Sequence, residues 1–237
     1  MRGEDANRAG SPNRRYSALV GLAFLVLVVI ATLNTIRTQS GGLLGITSGD
    51  RGTPLPEFAV PNAVTGPLDN DANIAQDDCS TSQNPCPGDA TRNPACEIGA
   101  KGAIRVCDLF NRPLVLSFWF TKGVPAPDCL PTQDALNRVA GRYRGRLNFL
   151  SIDVRDDPST VRDIVAQRGW RIPVGYDRDG AVSDLYRVGG CPTLAFAYPG
   201  GILAFARAGV DNLSESEIAG DVGRLLRLSR KRAGEGR

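Results

Sequence analysis

The chain has 237 residues, of which 42% are apolar and 22% charged, and its formal net charge is +3. This length and composition fit one globular domain with additional segments and exclude disorder of the whole chain. The near-neutral charge gives no support to nucleic-acid binding. Because the sequence contains no histidine, Ser-His-Asp and Cys-His nucleophilic sites and imidazole metal ligands are excluded.

The N-terminal part carries an uncharged run from residue 16 to residue 36, directly after Arg14 and Arg15. Its length is close to the ~20 residues that cross a bilayer. By the positive-inside rule, the run is predicted to be a transmembrane helix with residues 1–15 in the cytoplasm and the rest outside. A cleavable signal peptide is the alternative, but no A-x-A-like cleavage site follows the run. We therefore predict a single-pass protein of the cell membrane with an extracytoplasmic domain.

Beyond the run, composition divides the chain into a tether, a domain and a tail. Residues 37–54 are rich in Gly, Ser and Thr, which is typical of a flexible linker. Residues 55–232 are predicted to form the domain, and residues 233–237 a short tail. Outside the cytoplasm disulfides persist, so the cysteines of the domain are candidates for pairing.

The segment 70–106 is polar and, with Cys107 at its edge, holds four of the six cysteines. It has too little apolar content for its own core, so we interpret it as a disulfide-stapled insertion. Four cysteines allow three pairings, of which the most local joins Cys79 to Cys86 and Cys96 to Cys107. Zinc sites need tighter spacings such as C-x2-C. We predict structural disulfides here, and no metal or other cofactor.

Strand and helix patterns alternate through the rest of the domain. The first apolar run is nearly continuous, which is typical of a strand covered on both faces. Helix signals include a Pro at the first helical position after Asp157 and a capping box formed by Ser214 and Glu217. Strands are predicted at 114–120, 147–154, 193–198 and 202–208, and helices at 132–144, from 158 and from 214. This order predicts an α/β fold with a mixed central sheet and helices on both faces.

Four stretches, in the correct order, resemble the TlpA/ResA-like thiol–disulfide oxidoreductases of the redoxin group. They are LPEFAV at 55–60, NRPLVLSFW at 111–119, IPVGYDRDG at 172–180 and YRVGGCPT at 186–193, similar to that family's APDF-x-L, GKPVVLNFW, FPV-x-x-D-x-x-G and Y-x-V-x-G-x-P-T. The resemblance covers 55–61 and 107–228 and implies a thioredoxin-like fold. It also implies that the proline of the last motif is cis.

The C-x-x-C motif of that family is absent from this sequence. Its two cysteines would fall at Gly123 and Ala126. In a gap-free alignment, which the distance from Pro131 to Gly145 favours, Cys129 lies inside the first helix. A thiol there is ordinarily an inert small hydrophobe.

A second alignment lengthens the loop before the first helix and lets Asp128 cap it. Cys129 then stands at the helix start, and Thr132 replaces the second cysteine in a C-x-P-T sequence. A thiol at a helix N-terminus has a lowered pKa, because the helix dipole and free N–H groups favour the thiolate. The two alignments therefore predict different chemistry for Cys129.

The resemblance places Cys191, the residue before the cis-proline, against the active cysteine of the family. Cys129 and Cys191 are therefore candidates for a redox-active pair supplied by two separate segments. A permanent structural disulfide and two unpaired thiols are the alternatives. The resemblance also implies that Gly190, Pro192 and Thr193 bind the substrate chain.

The function predicted first is thiol–disulfide exchange, with Cys129 as nucleophile and Cys191 as resolving thiol. Its partners would be thiols or disulfides of exported proteins, or a membrane redox protein, and no nucleic acid. A redox-inactive binding or scaffold module is one alternative, and Ser117, where many thioredoxins carry a buried acid, favours it slightly. A peroxiredoxin-like peroxidase is another, but Ala126 occupies the position of the threonine in its P-x-x-x-T-x-x-C motif.

Overall fold

The structure is a computed structural model that describes residues 20–29, 51–65, 74–75, 80–81, 84–85, 95–121, 129–209 and 211–235. The chain divides into two compact units, Met1–Gly41 and Gly42–Arg237. In the first unit, residues 20–29 form a helix, α1, and the remainder of the predicted transmembrane segment lies outside the described residues. Within the described ranges, no helix combines the length and the apolar character needed to cross a membrane.

The second unit contains ten strands and four α-helices among its described residues. In chain order they are β1 (Phe58–Pro61), β2 (Ile74–Ala75), β3 (Ser80–Thr81), β4 (Asn84–Pro85), β5 (Ala103–Arg105), β6 (Leu114–Trp119), α2 (Leu130–Arg142), β7 (Asn148–Val154), α3 (Pro158–Arg168), β8 (Val174–Asp177), α4 (Ala181–Leu185), β9 (Thr193–Tyr198), β10 (Ile202–Ala208) and α5 (Glu215–Glu235). Short 3-10 helices lie at Ala95–Glu97 and Val106–Leu109.

The central sheet has five strands in the order β10-β9-β6-β7-β8. Strands β6, β7 and β8 run parallel, whereas β9 is antiparallel to β6 and β10 is antiparallel to β9. The mixed α/β sheet predicted from the order of elements is confirmed.

Both faces of β6 are covered, which explains its nearly continuous apolar sequence. Val115 packs on one face with residues of α2 and α5, such as Leu136 and Val222. Leu116 and Phe118 pack on the opposite face in a second cluster that includes residues of β1 and α4. The helices therefore cover the sheet on both faces, as predicted.

The helix boundaries follow the capping signals. Helix α3 begins at Pro158, as predicted, and ends at Arg168. The next residue, Gly169, caps the helix with a φ of 63°, the left-handed conformation that favours glycine at this position. Ahead of α5, the predicted capping box forms: the Ser214 backbone N–H and hydroxyl donate to the Glu217 carboxylate at 2.8 and 2.6 Å. Helix α2 begins at Leu130, two residues before the predicted start.

The cysteine-rich segment contributes strands to the fold. Strands β2 and β5, which flank most of the predicted insertion, both pair antiparallel with β1 in a three-stranded sheet. Cys96 and Cys107 form a disulfide with a Cα–Cα separation of 5.9 Å, so this part of the local pairing is confirmed. Cys79 and Cys86 lie outside the described residues, and their pairing stays a prediction.

The last residues of the predicted tether are bound to the central sheet. The Gly52 backbone N–H donates to the Leu203 carbonyl at 2.8 Å, and the Leu203 N–H donates to the Thr53 carbonyl at 2.9 Å. Residues 52–54 therefore extend the β10 edge. The folded domain therefore begins at about residue 52, a few residues before the start at residue 55 that was predicted from composition.

Candidate functional site

Cys129 is the N-cap residue of α2, and Pro131 lies in the first turn of the helix. The gap-free alignment, which put Cys129 inside the helix, is therefore wrong. The physical reason is Pro131: a proline is tolerated in the first helical turn, where its missing N–H is not needed, but it disrupts a helix interior. The helix consequently starts immediately before the proline and leaves the cysteine at its N-terminus.

Cys191 forms a disulfide with Cys129, across a Cα–Cα separation of 5.9 Å. The peptide bond between Cys191 and Pro192 is cis, and β9 begins at the next residue. The two sulfurs thus come from a helix start and a strand start that are 62 residues apart in sequence. Their side chains are buried, with exposed fractions of 1% for Cys129 and 0% for Cys191.

The residues predicted to bind substrate adjoin this disulfide, and part of their polar capacity is used internally. The Thr193 hydroxyl donates to the Gly190 carbonyl at 2.7 Å, and the Pro192 carbonyl accepts from the Gly209 N–H at 3.3 Å. Pro192 and Thr193 are buried, and Gly190 is half-buried. Their role in substrate binding stays a prediction, as does the catalytic role of the two cysteines.

Thr132, the residue in place of a second helical cysteine, has a structural role. Its hydroxyl donates to the Asn212 side-chain oxygen at 2.8 Å and accepts from the Leu213 N–H at 2.9 Å. It is fully buried. Thr132 therefore ties the first turn of α2 to the chain before α5.

An apolar cluster surrounds the disulfide. It contains Trp119 at the end of β6, Trp170 after α3, and Tyr176 in β8, together with both cysteines. The two tryptophan rings meet edge to face, with centroids 5.1 Å apart. These large side chains account for the burial of the two sulfurs.

A carboxyl group that the sequence analysis missed lies beside this cluster. In the parallel register Trp119 pairs with Asp153 and Asp153 pairs with Tyr176, so the three side chains share one face of the sheet. Asp153 is fully buried, and neither of its carboxyl oxygens has a hydrogen-bond partner among the residues that the structure describes. Burial, reinforced by the nearby Asp156 carboxyl, raises its pKa to about 9. The signal was available: Phe149, Ser151 and Asp153 alternate along β7 and place the aspartate on a buried face.

Asp156 is also buried and connects two segments near the site. One of its carboxylate oxygens accepts from the Thr121 N–H at 2.6 Å, and its carbonyl accepts from the Tyr176 hydroxyl at 2.7 Å. Within the described part of the chain, the other carboxylate oxygen has no hydrogen-bond partner, and neither does the buried indole N–H of Trp119. Unpartnered polar atoms therefore concentrate at the carboxyl ends of β6 and β7.

Uncharged polar side chains form a hydrogen-bonded network beneath α2, around Ser117, the position at which many thioredoxins carry a buried acid. The Gln133 side chain donates to the Ser117 hydroxyl at 2.6 Å and accepts from the Ser151 hydroxyl at 2.9 Å. All three side chains are fully buried. The network joins α2 to β6 and β7 and holds the helix that presents Cys129.

The described residues offer one group of possible metal ligands, namely Glu57, Cys96 and Cys107. Both sulfurs are engaged in the disulfide described above. Metal ligation by cysteine requires the thiolate. In the oxidised form this group therefore lacks the ligands for a metal site.

Comparison with known proteins finds similarity to a thiol–disulfide oxidoreductase at low identity. No protein-family model matches the chain. The thiol–disulfide oxidoreductase ResA of Oceanobacillus iheyensis is 24% identical over 102 residues, which cover 43% of this chain and 52% of the relative. The chain thus spans about half the length of the curated relative that it matches.

Solved structures support the fold. An uncharacterised conserved protein of Geobacillus kaustophilus superposes with a TM-score of 0.53 at 16% identity, covering 75% of this chain and 82% of the other. A putative thiol:disulfide interchange protein DsbE of Chlorobium tepidum gives a TM-score of 0.52 at 16% identity, covering 75% and 98%. The chain has a mixed α/β thioredoxin-like fold, and the thiol–disulfide oxidoreductase ResA is a distant relative of it.

Proposed function

We propose that the protein is a membrane-anchored, extracytoplasmic thiol–disulfide oxidoreductase whose redox pair is Cys129 and Cys191. The observation that carries the proposal is the disulfide between the N-cap of α2 and the residue before cis-Pro192. An N-terminal helix position favours the thiolate form of a cysteine, which is the nucleophile in exchange. The oxidoreductase homologues add support from similarity.

The reaction exchanges one disulfide for another. In the reducing direction, the Cys129 thiolate attacks a substrate disulfide, forms a mixed disulfide and expels one substrate thiolate. The Cys191 thiolate then attacks the Cys129 sulfur, which forms the Cys129–Cys191 bond and expels the second substrate thiolate. Two electrons pass from the protein dithiol to the substrate, and the reverse sequence oxidises a substrate dithiol. Thiols or disulfides of exported proteins, or a membrane redox protein, would be the exchange partners.

Membrane anchoring belongs to this proposal and rests on the sequence. The run from 16 to 36 contains no charged residue and follows Arg14 and Arg15, the arrangement expected of a membrane anchor with a cytoplasmic N-terminus. N-terminal sequencing of protein extracted from membranes tests it. An intact residue 1–36 segment is expected, and cleavage after the run or recovery without detergent would contradict the anchor.

A redox-inactive binding module is the second candidate, and the burial of the disulfide favours it. Exposed fractions of 1% and 0% for the two cysteines are typical of a structural disulfide. Thiolate attack needs access to a sulfur atom. In this alternative the disulfide fixes the cis-proline segment against α2, and a partner chain binds beside it without exchange.

A redox titration of the full chain in detergent separates the two candidates. The chain is equilibrated in graded thiol buffers, free cysteines are alkylated, and each pair is quantified by mass spectrometry. The Cys96–Cys107 disulfide, with the same Cα–Cα separation of 5.9 Å, is the internal control. We expect Cys129–Cys191 to open between about −120 and −270 mV, the range of known exchange catalysts.

A trapping experiment adds a kinetic readout. The Cys191→Ser variant should accumulate a mixed disulfide with a disulfide-bonded peptide, because the resolving thiol is missing. The Cys129→Ser variant is the matched control and should not accumulate it. If Cys129–Cys191 opens only below about −300 mV, as structural disulfides do, and no adduct forms, the binding module becomes the preferred function.

A further inference from the structure

A cavity lies at the end of the central-sheet strands that is opposite the disulfide. Its volume is about 310 Å³, and it is lined by the C-terminal part of α2, the start of β7 and the loop before β8. The disulfide lies at the other end of the strands, since Trp119 ends β6 and belongs to its cluster. The length of β6 separates the two ends by about 16 Å. The cavity is therefore distinct from the proposed redox site.

Three arginines from three segments line this cavity. Arg112 precedes β6, Arg144 follows α2 and Arg171 precedes β8. All three are exposed, and none forms an ion pair with a residue that the structure describes. The described residues of the lining include no Asp or Glu.

The position of one of the three arginines, Arg144, is explained by the helix end that precedes it. The C-terminus of a helix favours a cation, and Arg144 lies two residues after α2 ends. Arg112 and Arg171 come from other segments and lack that explanation. Other arginines of α2 do have acidic partners: Arg138 and Arg142 both pair with Glu215, at 2.6 and 2.7 Å. Unpaired positive charge is therefore a feature of the cavity.

The floor of the cavity is apolar. It is formed by Ala140, Leu147, Phe149 and Ile172, each with an exposed fraction of 3 to 8%. A cavity of a few hundred Å³ with an apolar floor and a few polar groups is the ordinary form of a small-molecule site. Guanidinium groups bind phosphate through paired hydrogen bonds, and several of them together favour a dianion over a monoanion.

We propose that this cavity binds a phosphate ester, with the phosphate held by Arg112, Arg144 and Arg171 and the apolar part resting on Phe149 and Ile172. Bound phosphate would offset the positive charge that the three guanidinium groups bring to the cavity. A soluble phosphate monoester and a phospholipid headgroup share this chemistry. The proposal is independent of the thiol exchange proposed above.

Calorimetric titration of the full chain in nonionic detergent tests the proposal, with phenyl phosphate and dihexanoyl phosphatidic acid as probes and benzoate for comparison. We expect saturable binding at one site, tighter for the phosphate probes than for benzoate. Tighter binding of the phosphatidic acid would identify a lipid headgroup as the ligand, and tighter binding of phenyl phosphate a soluble ester. Either result supports the site.

Arginine variants locate the binding. Arg112→Gln, Arg144→Gln and Arg171→Gln should each weaken the preferred probe by about 10-fold, the effect of losing one charged hydrogen bond. Arg146→Gln is the matched control, because Arg146 lies two residues after Arg144 but does not line the cavity. Its guanidinium group stacks on Tyr143 instead, with the guanidinium carbon 5.4 Å from the ring centroid. It should change the affinity by less than about twofold. Absence of binding, equal binding of benzoate, or equal loss in the control variant would overturn the proposal.

Discussion

Replacing Asp153 with asparagine should change how the stability of the protein depends on pH. The carboxyl group is fully buried, and no described residue forms a hydrogen bond with either of its oxygens. Burial, with the charge of nearby Asp156 and Asp177, raises its pKa from 3.8 to about 9. Below pH 4 the carboxyl is protonated in both the folded and the unfolded chain. Above pH 4 only the unfolded chain releases the proton, so the free energy of unfolding falls as pH rises towards 9.

The magnitude follows from the pKa difference. Each pKa unit corresponds to about 1.4 kcal/mol, so the destabilisation reaches about 4 kcal/mol at pH 7. An asparagine does not ionise and abolishes this dependence. Its buried amide lacks partners, but so does the protonated carboxyl of the native protein, and the two burial costs largely cancel in the difference between the proteins. The Asp153→Asn variant should therefore have nearly the same stability as the native protein near pH 4 and be more stable at pH 8.

Urea denaturation at pH 4.5 to 8.5, with the disulfides kept oxidised, measures the effect. The difference between the two proteins isolates Asp153 from other groups, such as Asp177, whose pKa burial also raises. Asp163→Asn, at an exposed position of α3, is the matched control and should leave the pH dependence unchanged. Parallel curves for Asp153→Asn and the native protein would show that the carboxylate is solvated and refute the reasoning.

Three further changes test the packing around the site by urea denaturation. Replacing Cys129 and Cys191 together with alanine should lower the free energy of unfolding by about 4 kcal/mol, from the chain entropy of a 62-residue loop; a loss near zero would indicate a strained bond. Gln133→Ala should cost about 2–4 kcal/mol, because it leaves two buried hydroxyl groups unpaired; Gln133→Glu at low pH should recover part of this. Gly175→Ala should cost about 1–3 kcal/mol, because its Cβ would lie 2.5 Å from a Val60 methyl carbon. Gly220→Ala, where a Cβ meets nothing within 4 Å, is its control and should stabilise α5 by up to about 1 kcal/mol.

The sheet and its helices could be predicted from sequence because their patterns are local. A continuous apolar run marks β6, a Pro after an Asp marks the start of α3, and the Ser214–Glu217 box marks α5. The predicted start of α2 at residue 132 was two residues late, because the apolar pattern left Pro131 outside the helix, whereas the structure has it in the first turn. First-turn tolerance of proline, a local rule, would have placed Cys129 at the helix start.

The environment of the candidate site was less predictable because it depends on contacts across the sheet. Pairing of Asp153 with Trp119 and Tyr176 is a matter of register between three strands, which no single segment encodes. The partners of Gln133 lie 16 and 18 residues away on two strands. Strands β2 and β5 were likewise not predicted, because they are only two and three residues long and lie in a polar segment. Their hydrogen-bonded pairing with β1 defines them as strands, and that pairing cannot be recognised from such short sequences.

The order of the two described disulfides has a consequence for export. Cys96 pairs with Cys107 and Cys129 with Cys191, so the two covalent loops follow one another without overlapping. In the membrane-anchored form proposed above, the domain would cross the membrane starting from the residues that follow the anchor. Cys107 would then emerge before Cys129, and the earlier bond could close before the later cysteines emerge. In each of the two pairs, the second cysteine is the next of these four in the sequence after the first. Among these four cysteines, oxidation in order of emergence yields the pairing that the structure shows.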